Sequence, residues 1–372
     1  MDTGTPGELV QLLTPEGERV HHSDYDLDLA DSEYRELFRD LVLVRRIDLE
    51  ATALQRQGEL GLWASLLGQE AAQVGSGRAL APDDYAFPTY REHGVAHTRG
   101  VDPLDLLALF RGVSNGGWDP GEKNFALYTI VIGNQCLHAV GYAMGLLMDR
   151  RRAQEDHTPA VIAYFGDGAS SQGDVNEAFI FAASFNAPVV FFCQNNHWAI
   201  SEPLEKQSRI PLYRRASGFG FRGVRVDGND VLAVLAVTRK HLAAARDGAG
   251  PSLIEAFTYR MGAHTTSDDP TRYRLASDLE AWRLKDPIER VRSFLWRSQL
   301  ADQAFFDGVE AEAEALAVRL REGVRALPDP EPDRMFDQVY AEPHPLVQAE
   351  RAELAAYLAS FVDAGHGEGS HR

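Results

Sequence analysis

The chain has 372 residues, of which 44 % are hydrophobic, so it is long enough for about two domains and unlike a disordered protein. Its net charge of −18, without a compensating basic block, argues against nucleic acid or an anionic membrane as the main partner. Two cysteines in apolar surroundings, an acidic N-terminus without the pattern of a signal peptide, and the absence of any apolar stretch of roughly 18 residues predict a soluble, cytoplasmic protein.

Helices are predicted along the first part of the chain, after an extended arm over residues 1–30. One helix is predicted over residues 31–57, where apolar side chains recur at helical spacing behind a capping aspartate and serine. A second is predicted over residues 68–80, and a third begins after Gly133. Turn-rich segments separate these helices.

Strands and helices alternate in the middle of the chain. The predicted strands cover residues 160–165, 189–194, 223–226 and 252–258, and the predicted helices between them cover 174–186 and 230–246. Such alternation is typical of a parallel sheet with helices on both faces, so we predict an α/β fold with helical N- and C-terminal extensions. The predicted divisions are the arm at 1–30, an α/β domain at 31–275, a helical region at 276–364 and a disordered tail at 365–372.

A carboxylate stands between two glycines where a buried strand is predicted to end. Asp167 lies in the turn "GDG" after the strand "VIAYF", and Asn195 and Asn196 follow the next strand. A crossover between parallel strands brings their carboxyl ends side by side, which is where open α/β sheets bind ligands. Asp167 and Asn196 are therefore expected to converge beside a helix N-terminus, a position suited to anions.

Several interpretations of this turn are open from the residues alone. It could serve chain geometry only, or "GDGASS" could be a dinucleotide site, although the third glycine of that fingerprint is missing. A lone Asp167 would repel a pyrophosphate, and a divalent cation between the protein and the ligand phosphates would remove that repulsion. Magnesium prefers oxygen ligands, which Asp167, Asn196 and a nearby backbone carbonyl could supply. A metallophosphatase would need more metal ligands than occur nearby.

Further motifs accompany this turn along the chain. Gly166 and Asn196 are 30 positions apart, which is the spacing of GDG and NN in thiamine-diphosphate enzymes. Together with "TYREHG", "GQEAAQ", "HTTSDDPTRYR" and "WRLKDPIERVRSFL", this pair resembles the α subunit of the E1 component of 2-oxo acid dehydrogenase complexes, over roughly residues 30–345. That family includes the pyruvate and branched-chain 2-oxo acid dehydrogenases.

The resemblance implies a thiamine-diphosphate-binding fold, with thiamine diphosphate and Mg²⁺ as cofactors. An arginine fork is a strong phosphate ligand, which agrees with the family's use of the "TYREHG" segment. The residues that match the family's site are Tyr90, Arg91, Gly168 and Ala169 for the diphosphate, Asp167, Asn196 and the carbonyl of Trp198 for the metal, Ile130 and Ile132 beside the central rings of the cofactor, and His264 as the catalytic histidine of a mobile loop.

Partners and reaction follow from the same resemblance. The family's catalytic glutamate belongs to a β subunit, so the site would be shared within an α₂β₂ heterotetramer, and the acyl group would pass to the lipoyl group of an E2 acyltransferase. The expected reaction is the oxidative decarboxylation of a 2-oxo acid, with pyruvate favoured and branched-chain acids next. An acetoin dehydrogenase α subunit and a catalytically silent E1-α-like scaffold are the alternatives. Two residues depart from the usual pattern: Trp198 replaces a tyrosine, and Ala64 replaces a histidine of some pyruvate enzymes.

Overall fold

The computed structural model describes residues 9–114, 116–154, 158–337 and 339–362. The described residues form two compact units, one within Met1–Ala326 and one within Leu327–Arg372. The predicted tail at 365–372 lies outside the described residues. The predicted boundary at residue 276 stays a prediction, and helices from both sides of it pack together inside the first unit.

Most of the strands belong to one parallel sheet. The described residues contain the strands β1 (Leu9–Val10), β2 (Tyr85–Phe87), β3 (Val161–Gly166), β4 (Val189–Asn195), β5 (Trp198–Ala199), β6 (Glu202–Pro203), β7 (Arg222–Asp227) and β8 (Ser252–Phe257). The sheet has the strand order β1-β7-β8-β4-β3-β2, and β5 and β6 form a separate antiparallel pair. The predicted α/β architecture with a parallel sheet is therefore confirmed.

Helices cover both faces of this sheet. The described helices are α1 (Asp31–Arg56), α2 (Glu70–Arg78), α3 (His93–Thr98), α4 (Pro103–Arg111), α5 (Pro120–Lys123), α6 (Asn134–Ala153), α7 (Gly173–Phe185), α8 (Leu204–Gln207), α9 (Arg215–Gly218), α10 (Val231–Arg246), α11 (Ala276–Arg283), α12 (Pro287–Arg297), α13 (Gln303–Ala326) and α14 (Pro345–Val362). In the part of the chain that the structure describes, no helix is long and apolar enough to cross a membrane.

The central strands owe their place to side chains that alternate between two apolar layers. In β3, Ile162 and Tyr164 join the core with α1, α2 and α10, whereas Ala163 and Phe165 join the core with α6 and α7. Since successive side chains of a strand point to opposite faces, a strand covered on both sides must be apolar throughout. This requirement explains the unbroken apolar runs at β3 and β4, whose residues are almost all fully buried.

The N-terminal arm is fastened to the edge of the sheet. β1 pairs in parallel with β7, a strand addition that the sequence pattern did not predict. The buried Asp230 carboxylate accepts the backbone N–H groups of Leu12 and Leu13 at 2.7 and 2.6 Å. Arg290, which is fully buried in α12, donates to the Leu13 carbonyl at 3.0 Å and to Asp227 Oδ2 at 2.8 Å. These contacts hold residues 9–13 against the sheet edge and α12.

The sheet register places the polar ends of three strands together. β3 and β4 pair so that Gly166 lies opposite Gln194, and β4 and β8 pair so that Asn195 lies opposite Phe257. The residues that follow these strands therefore emerge at one edge of the sheet. This is the carboxyl edge, where open parallel sheets bind ligands.

Candidate active site

A cavity of about 500 Å³ lies at the carboxyl edge of the sheet. Every residue predicted for the site from the sequence lines this cavity: Tyr90, Arg91, Ile130, Ile132, Asp167, Gly168, Ala169, Asn196, Trp198 and His264. These residues come from five separate segments of the chain. The fold therefore brings together what the sequence distributes over about half the chain.

Asp167 brings a buried carboxylate into this cavity. The residue follows β3, and only 1 % of its surface is exposed. Burial raises the pKa of Asp167 to about 6, against the opposing charge of Arg260. Gln207 Nε2 donates to Asp167 Oδ2 at 3.3 Å. A buried carboxylate with such weak compensation is stabilised by a nearby cation.

The side chain of Asn196 is oriented by a backbone group. The N–H of Trp198 can only donate, and it donates to Asn196 Oδ1 at 3.2 Å. Asn196 Nδ2 therefore points the other way and donates to Gln69 Oε1 at 2.8 Å. An amide oxygen has two lone pairs, so Asn196 Oδ1 keeps one for a further partner. The backbone of Asn196 also lies close enough to hydrogen-bond to Asp167.

A buried glutamate holds the segment that presents Tyr90 and Arg91. Glu92 Oε2 accepts from the backbone N–H and the hydroxyl of Thr89, and Gln194 Nε2 donates to Glu92 Oε1 at 2.6 Å. Burial raises the pKa of Glu92, while the hydrogen bonds from Thr89 oppose that rise. The Arg91 guanidinium is 5.5 Å from the centre of the Tyr90 ring. The segment that carries Tyr90 and Arg91 is thus fixed to the end of β4.

His264 carries its proton on the nitrogen that does not face the arginines. Arg91 Nη2 is 3.2 Å and Arg260 Nη1 is 3.3 Å from His264 Nδ1. Because guanidinium groups only donate, Nδ1 accepts and the proton of the neutral ring resides on Nε2. Burial first, and then the charges of the two arginines, lower the pKa of His264 to about 3. The neutral imidazole is therefore the form present at neutral pH, with Nε2–H as a donor.

Arg260 holds the loop after β4 in a strained conformation. Its guanidinium donates from Nη1 to the Trp198 carbonyl at 3.0 Å and from Nη2 to the Ile200 carbonyl at 2.6 Å. His197 and Ile200 have φ values of 73° and 56°, a region that side chains other than glycine rarely adopt. The Trp198 carbonyl, which the sequence resemblance assigns to the metal, retains its second lone pair for a cation.

Gly168 allows the turn after β3 to approach the β5–β6 pair. A Cβ atom at this position would lie 2.8 Å from the Cβ of Ala199, closer than real Cβ atoms come. Gly168 and Ala169 both line the cavity, and at Gly168 no side chain stands between the backbone and a ligand. Such exposed backbone is suited to contacts with phosphate oxygens.

Comparison with known proteins identifies the family of this chain. A model of the family described as "Dehydrogenase E1 component" matches residues 39–329, which is well over half of the chain. The chain belongs to the dehydrogenase E1 component family. It is similar to the protein named 3-methyl-2-oxobutanoate dehydrogenase subunit alpha of Mycobacterium tuberculosis, with 45 % identity over 95 % of both chains.

Two further relatives are named for a different 2-oxo acid. The pyruvate dehydrogenase E1 component subunit alpha of Bacillus cereus is 37 % identical over 83 % of this chain and 84 % of its own length. The protein of the same name from Staphylococcus aureus is 40 % identical over 79 % of this chain and 78 % of its own length. The chain is thus an E1 α-type enzyme component of the 2-oxo acid dehydrogenases, as the motifs predicted.

Enzymes of the dehydrogenase E1 component family use thiamine diphosphate with a divalent metal, usually Mg²⁺, and the cavity offers groups that fit both. Gln69 and Gln135 line it and are essentially fully buried, yet Gln69 Nε2 and Gln135 Oε1 have no hydrogen-bond partner in the described part of the chain. The described residues hold no cluster of three or more His, Cys, Asp or Glu side chains for a metal. A cation here would rely on Asp167 and neutral oxygens, a set that Mg²⁺ completes with phosphate and water.

One wall of the cavity is apolar. Leu62, Ala64 and Phe110 line it on one side, and Ile130 and Ile132 line it with 77 % and 40 % of their surfaces exposed. Exposed branched side chains at the mouth of a site are typical of a surface that another molecule covers. The apolar wall of this E1 component is thus available to a cofactor ring, a substrate side chain or a partner subunit.

Sequence reasoning missed part of this site. Gln69, Gln135 and Gln194 line the cavity, and none of them was predicted as a site residue, although "GQEAAQ" served as a family motif. The motif "GQEA" was the available signal for Gln69, and the residue before "NN" was the signal for Gln194. Neutral amides carry no charge pattern, so only the folded chain identifies them as buried and convergent.

Proposed function

We propose that this chain pairs with an E1 β subunit in an α₂β₂ heterotetramer, decarboxylates a 2-oxo acid, and transfers the acyl group to the lipoyl group of an E2 acyltransferase. The observation that carries the proposal is the meeting of Arg91, Asp167, Asn196 and His264 in one cavity of an E1 component. Location in the cytoplasm is part of the proposal, and two free, buried cysteines are consistent with reducing surroundings.

The proposed roles follow from charge and hydrogen-bonding capacity. Thiamine diphosphate, when bound, supplies the electron sink that decarboxylation of a 2-oxo acid requires. Tyr90 and Arg91, with the backbone of Gly168 and Ala169, would bind its diphosphate. Asp167 would hold Mg²⁺, together with Asn196 Oδ1 and the Trp198 carbonyl, which are neutral oxygens of the kind Mg²⁺ accepts.

The remaining proposed roles concern the reacting end of the site. Ile130 and Ile132 would lie beside the cofactor rings, where their branched side chains exclude water. His264 would donate a hydrogen bond from Nε2–H to the substrate or move a proton at that atom, since its other ring nitrogen is engaged by two arginines.

A branched-chain 2-oxo acid is the proposed substrate. The relative named for 3-methyl-2-oxobutanoate matches 95 % of this chain at 45 % identity, whereas the relatives named for pyruvate match less of it. The apolar side chains of Leu62, Ala64 and Phe110 suit an aliphatic group larger than methyl. Pyruvate, which the sequence alone favoured, is the second candidate because two relatives carry its name.

A β subunit is proposed to complete the site. Glu92 is a glutamate that lines the cavity. Its carboxylate already accepts hydrogen bonds from Thr89 and Gln194, so it is not free to activate a cofactor. The family resemblance assigns the activating glutamate to the β subunit. The exposed Ile130 and Ile132 at the cavity mouth would then be covered by that partner.

The proposal is tested by 2-oxo-acid-dependent reduction of an artificial electron acceptor, with thiamine diphosphate and Mg²⁺ present. We expect activity only when the cognate β subunit is co-produced, and a kcat/KM for 3-methyl-2-oxobutanoate at least about tenfold above that for pyruvate, or about 1.4 kcal/mol. A reversed preference would assign pyruvate. Tight cofactor binding without turnover of either acid would contradict the proposed reaction.

Replacing His264 with alanine should separate cofactor binding from turnover. We expect the affinity for thiamine diphosphate to change by less than about tenfold, while kcat falls by about a hundredfold or more, the usual contribution of a positioned proton donor. Calorimetric titration and steady-state kinetics measure the two quantities. Ser267→Ala, an exposed change in the same loop, is the matched control. An unaltered kcat in His264→Ala would mean that the histidine is only structural.

A further inference from the structure

Gln69 is held at the start of α2 by an unusually close approach of two backbone segments. The preceding Gly68 has a φ of 94°, and a Cβ atom there would lie 2.3 Å from the carbonyl oxygen of Tyr259. The hydroxyl of Thr258 donates to the Gly68 carbonyl at 2.8 Å, and the N–H of Met261 donates to the Leu67 carbonyl at 2.9 Å. The backbone of Gln69 is thereby fixed against the segment that follows β8.

The orientation of the Gln69 amide follows from a chain of unambiguous donors. The Trp198 N–H must donate, so Asn196 Oδ1 is the acceptor facing it, and Asn196 Nδ2 faces Gln69. Gln69 Oε1 must then be the atom that accepts from Asn196, which leaves Gln69 Nε2 on the other side. Among the residues that the structure describes, that nitrogen has no hydrogen-bond partner, although Gln69 is fully buried and lines the cavity.

A buried amide nitrogen without a partner is costly, and in a native protein it calls for an acceptor. The side chain contacts Asn196, which is proposed to bind the cation, so acceptors near Gln69 Nε2 would include the phosphate oxygens that share that cation. Arg91, the other proposed diphosphate ligand, lines the same cavity.

We infer that Gln69 is a positioning residue for the cation and a hydrogen-bond donor to the diphosphate. Gln69 Oε1 holds the Asn196 amide with its oxygen facing the Trp198 N–H and its second lone pair left for the cation, and Gln69 Nε2–H donates to a phosphate oxygen of the bound cofactor. The inference rests on the proposed cofactor site. Groups that orient metal ligands typically change metal affinity by about 10–100-fold when removed.

The two halves of this role can be separated with two substitutions. Gln69→Met removes both the acceptor for Asn196 and the donor to the ligand while keeping a side chain of similar length. Gln69→Glu keeps an acceptor for Asn196 but replaces the donor with a carboxylate oxygen that repels a phosphate. Ser76→Ala is the control, because Ser76 is a buried polar residue of the same helix whose hydroxyl bonds to Ala72 and Tyr164, away from the cavity.

The experiment is calorimetric titration of thiamine diphosphate into the cofactor-free complex of the full chain with its β subunit, over a series of Mg²⁺ concentrations. For Gln69→Met we expect the Mg²⁺ concentration at half-maximal binding to rise at least about tenfold. For Gln69→Glu we expect that concentration to stay within about threefold of the wild type, while the affinity for thiamine diphosphate at saturating Mg²⁺ falls at least about tenfold. The Ser76→Ala complex should match the wild type in both quantities.

The outcomes separate this inference from the proposed function. A wild-type complex that does not bind thiamine diphosphate would contradict the proposed function itself. A wild-type complex that binds, with Gln69→Met showing the same Mg²⁺ dependence, would overturn the positioning role. An unchanged cofactor affinity in Gln69→Glu would overturn the donor role. Thermal unfolding of each variant complex verifies that the chain is folded, and Gln69→Glu supplies the test if Gln69→Met does not fold.

Discussion

Replacing Asp167 with alanine should abolish the Mg²⁺-dependent binding of thiamine diphosphate. Asp167 is the carboxylate among the proposed metal ligands, and it is buried where no solvent can substitute for its charge. Without it, a cation would be held by neutral oxygens only, beside the positive charge of Arg260. We expect the affinity measured with saturating Mg²⁺ to fall at least about a hundredfold, or about 2.8 kcal/mol.

The control for this substitution removes a carboxylate nearby that does not enter the cavity. Asp174 lies in the first turn of α7 and is exposed, so Asp174→Ala makes the same change of net charge. We expect it to bind thiamine diphosphate as the wild type does. An Asp167→Ala protein whose affinity still depends on Mg²⁺ as in the wild type would exclude Asp167 from the metal site.

Replacing Arg290 with methionine should destabilise the fold more than any surface substitution. Its guanidinium is fully buried and bonds to both Asp227 and the Leu13 carbonyl. Methionine preserves most of the packing but leaves a largely buried carboxylate without its counter-charge. Breaking one side of a buried ion pair typically lowers the free energy of unfolding by about 3–5 kcal/mol.

The same helix provides a matched control. Arg297 pairs with Glu18 at 3.4 Å, but about half of its side chain is exposed. Arg297→Met should therefore change the free energy of unfolding by about 0.5 kcal/mol or less. Urea unfolding of the full chain measures both variants. Equal stability of the two variants would mean that Asp227 finds other compensation and that the arm does not depend on Arg290.

The central strands could be predicted because burial on both faces requires an uninterrupted apolar sequence. The runs "VIAYF" and "VVFFC" are apolar at successive positions, which no half-exposed strand requires. The edge strands have no such apolar run. β1 and β2 have two and three residues, and β2 lies in a segment rich in turn-forming residues, so its pairing depends on the neighbouring β3.

The charged and glycine-rich parts of the site were also predictable, because their chemistry requires particular residue types at strand ends. Asp167 and Asn196 are of this kind. The role of Gln69 beside α2 was not predicted, although "GQEA" carried a signal for it, because α2 looks like an ordinary amphipathic helix. In the fold, its polar residues Glu70, Gln73 and Ser76 are completely buried and hydrogen-bonded to other segments. A polar residue on a helix can face solvent or join a buried hydrogen-bond network. The sequence does not distinguish the two, because the tertiary structure determines which one forms.

The strained backbone at His197 and Ile200, beside the cavity, lowers the stability of the fold. A branched residue such as Ile200 in the left-handed region disfavours the folded state by about 1–3 kcal/mol, and His197 adds to this. Arg260 maintains the conformation by bonding to the carbonyls of Trp198 and Ile200. A glycine at position 200 would carry less of this cost, because glycine adopts positive φ values without steric strain. Relieving the strain by substitution would stabilise the chain and would at the same time change the backbone of a segment that lines the cavity.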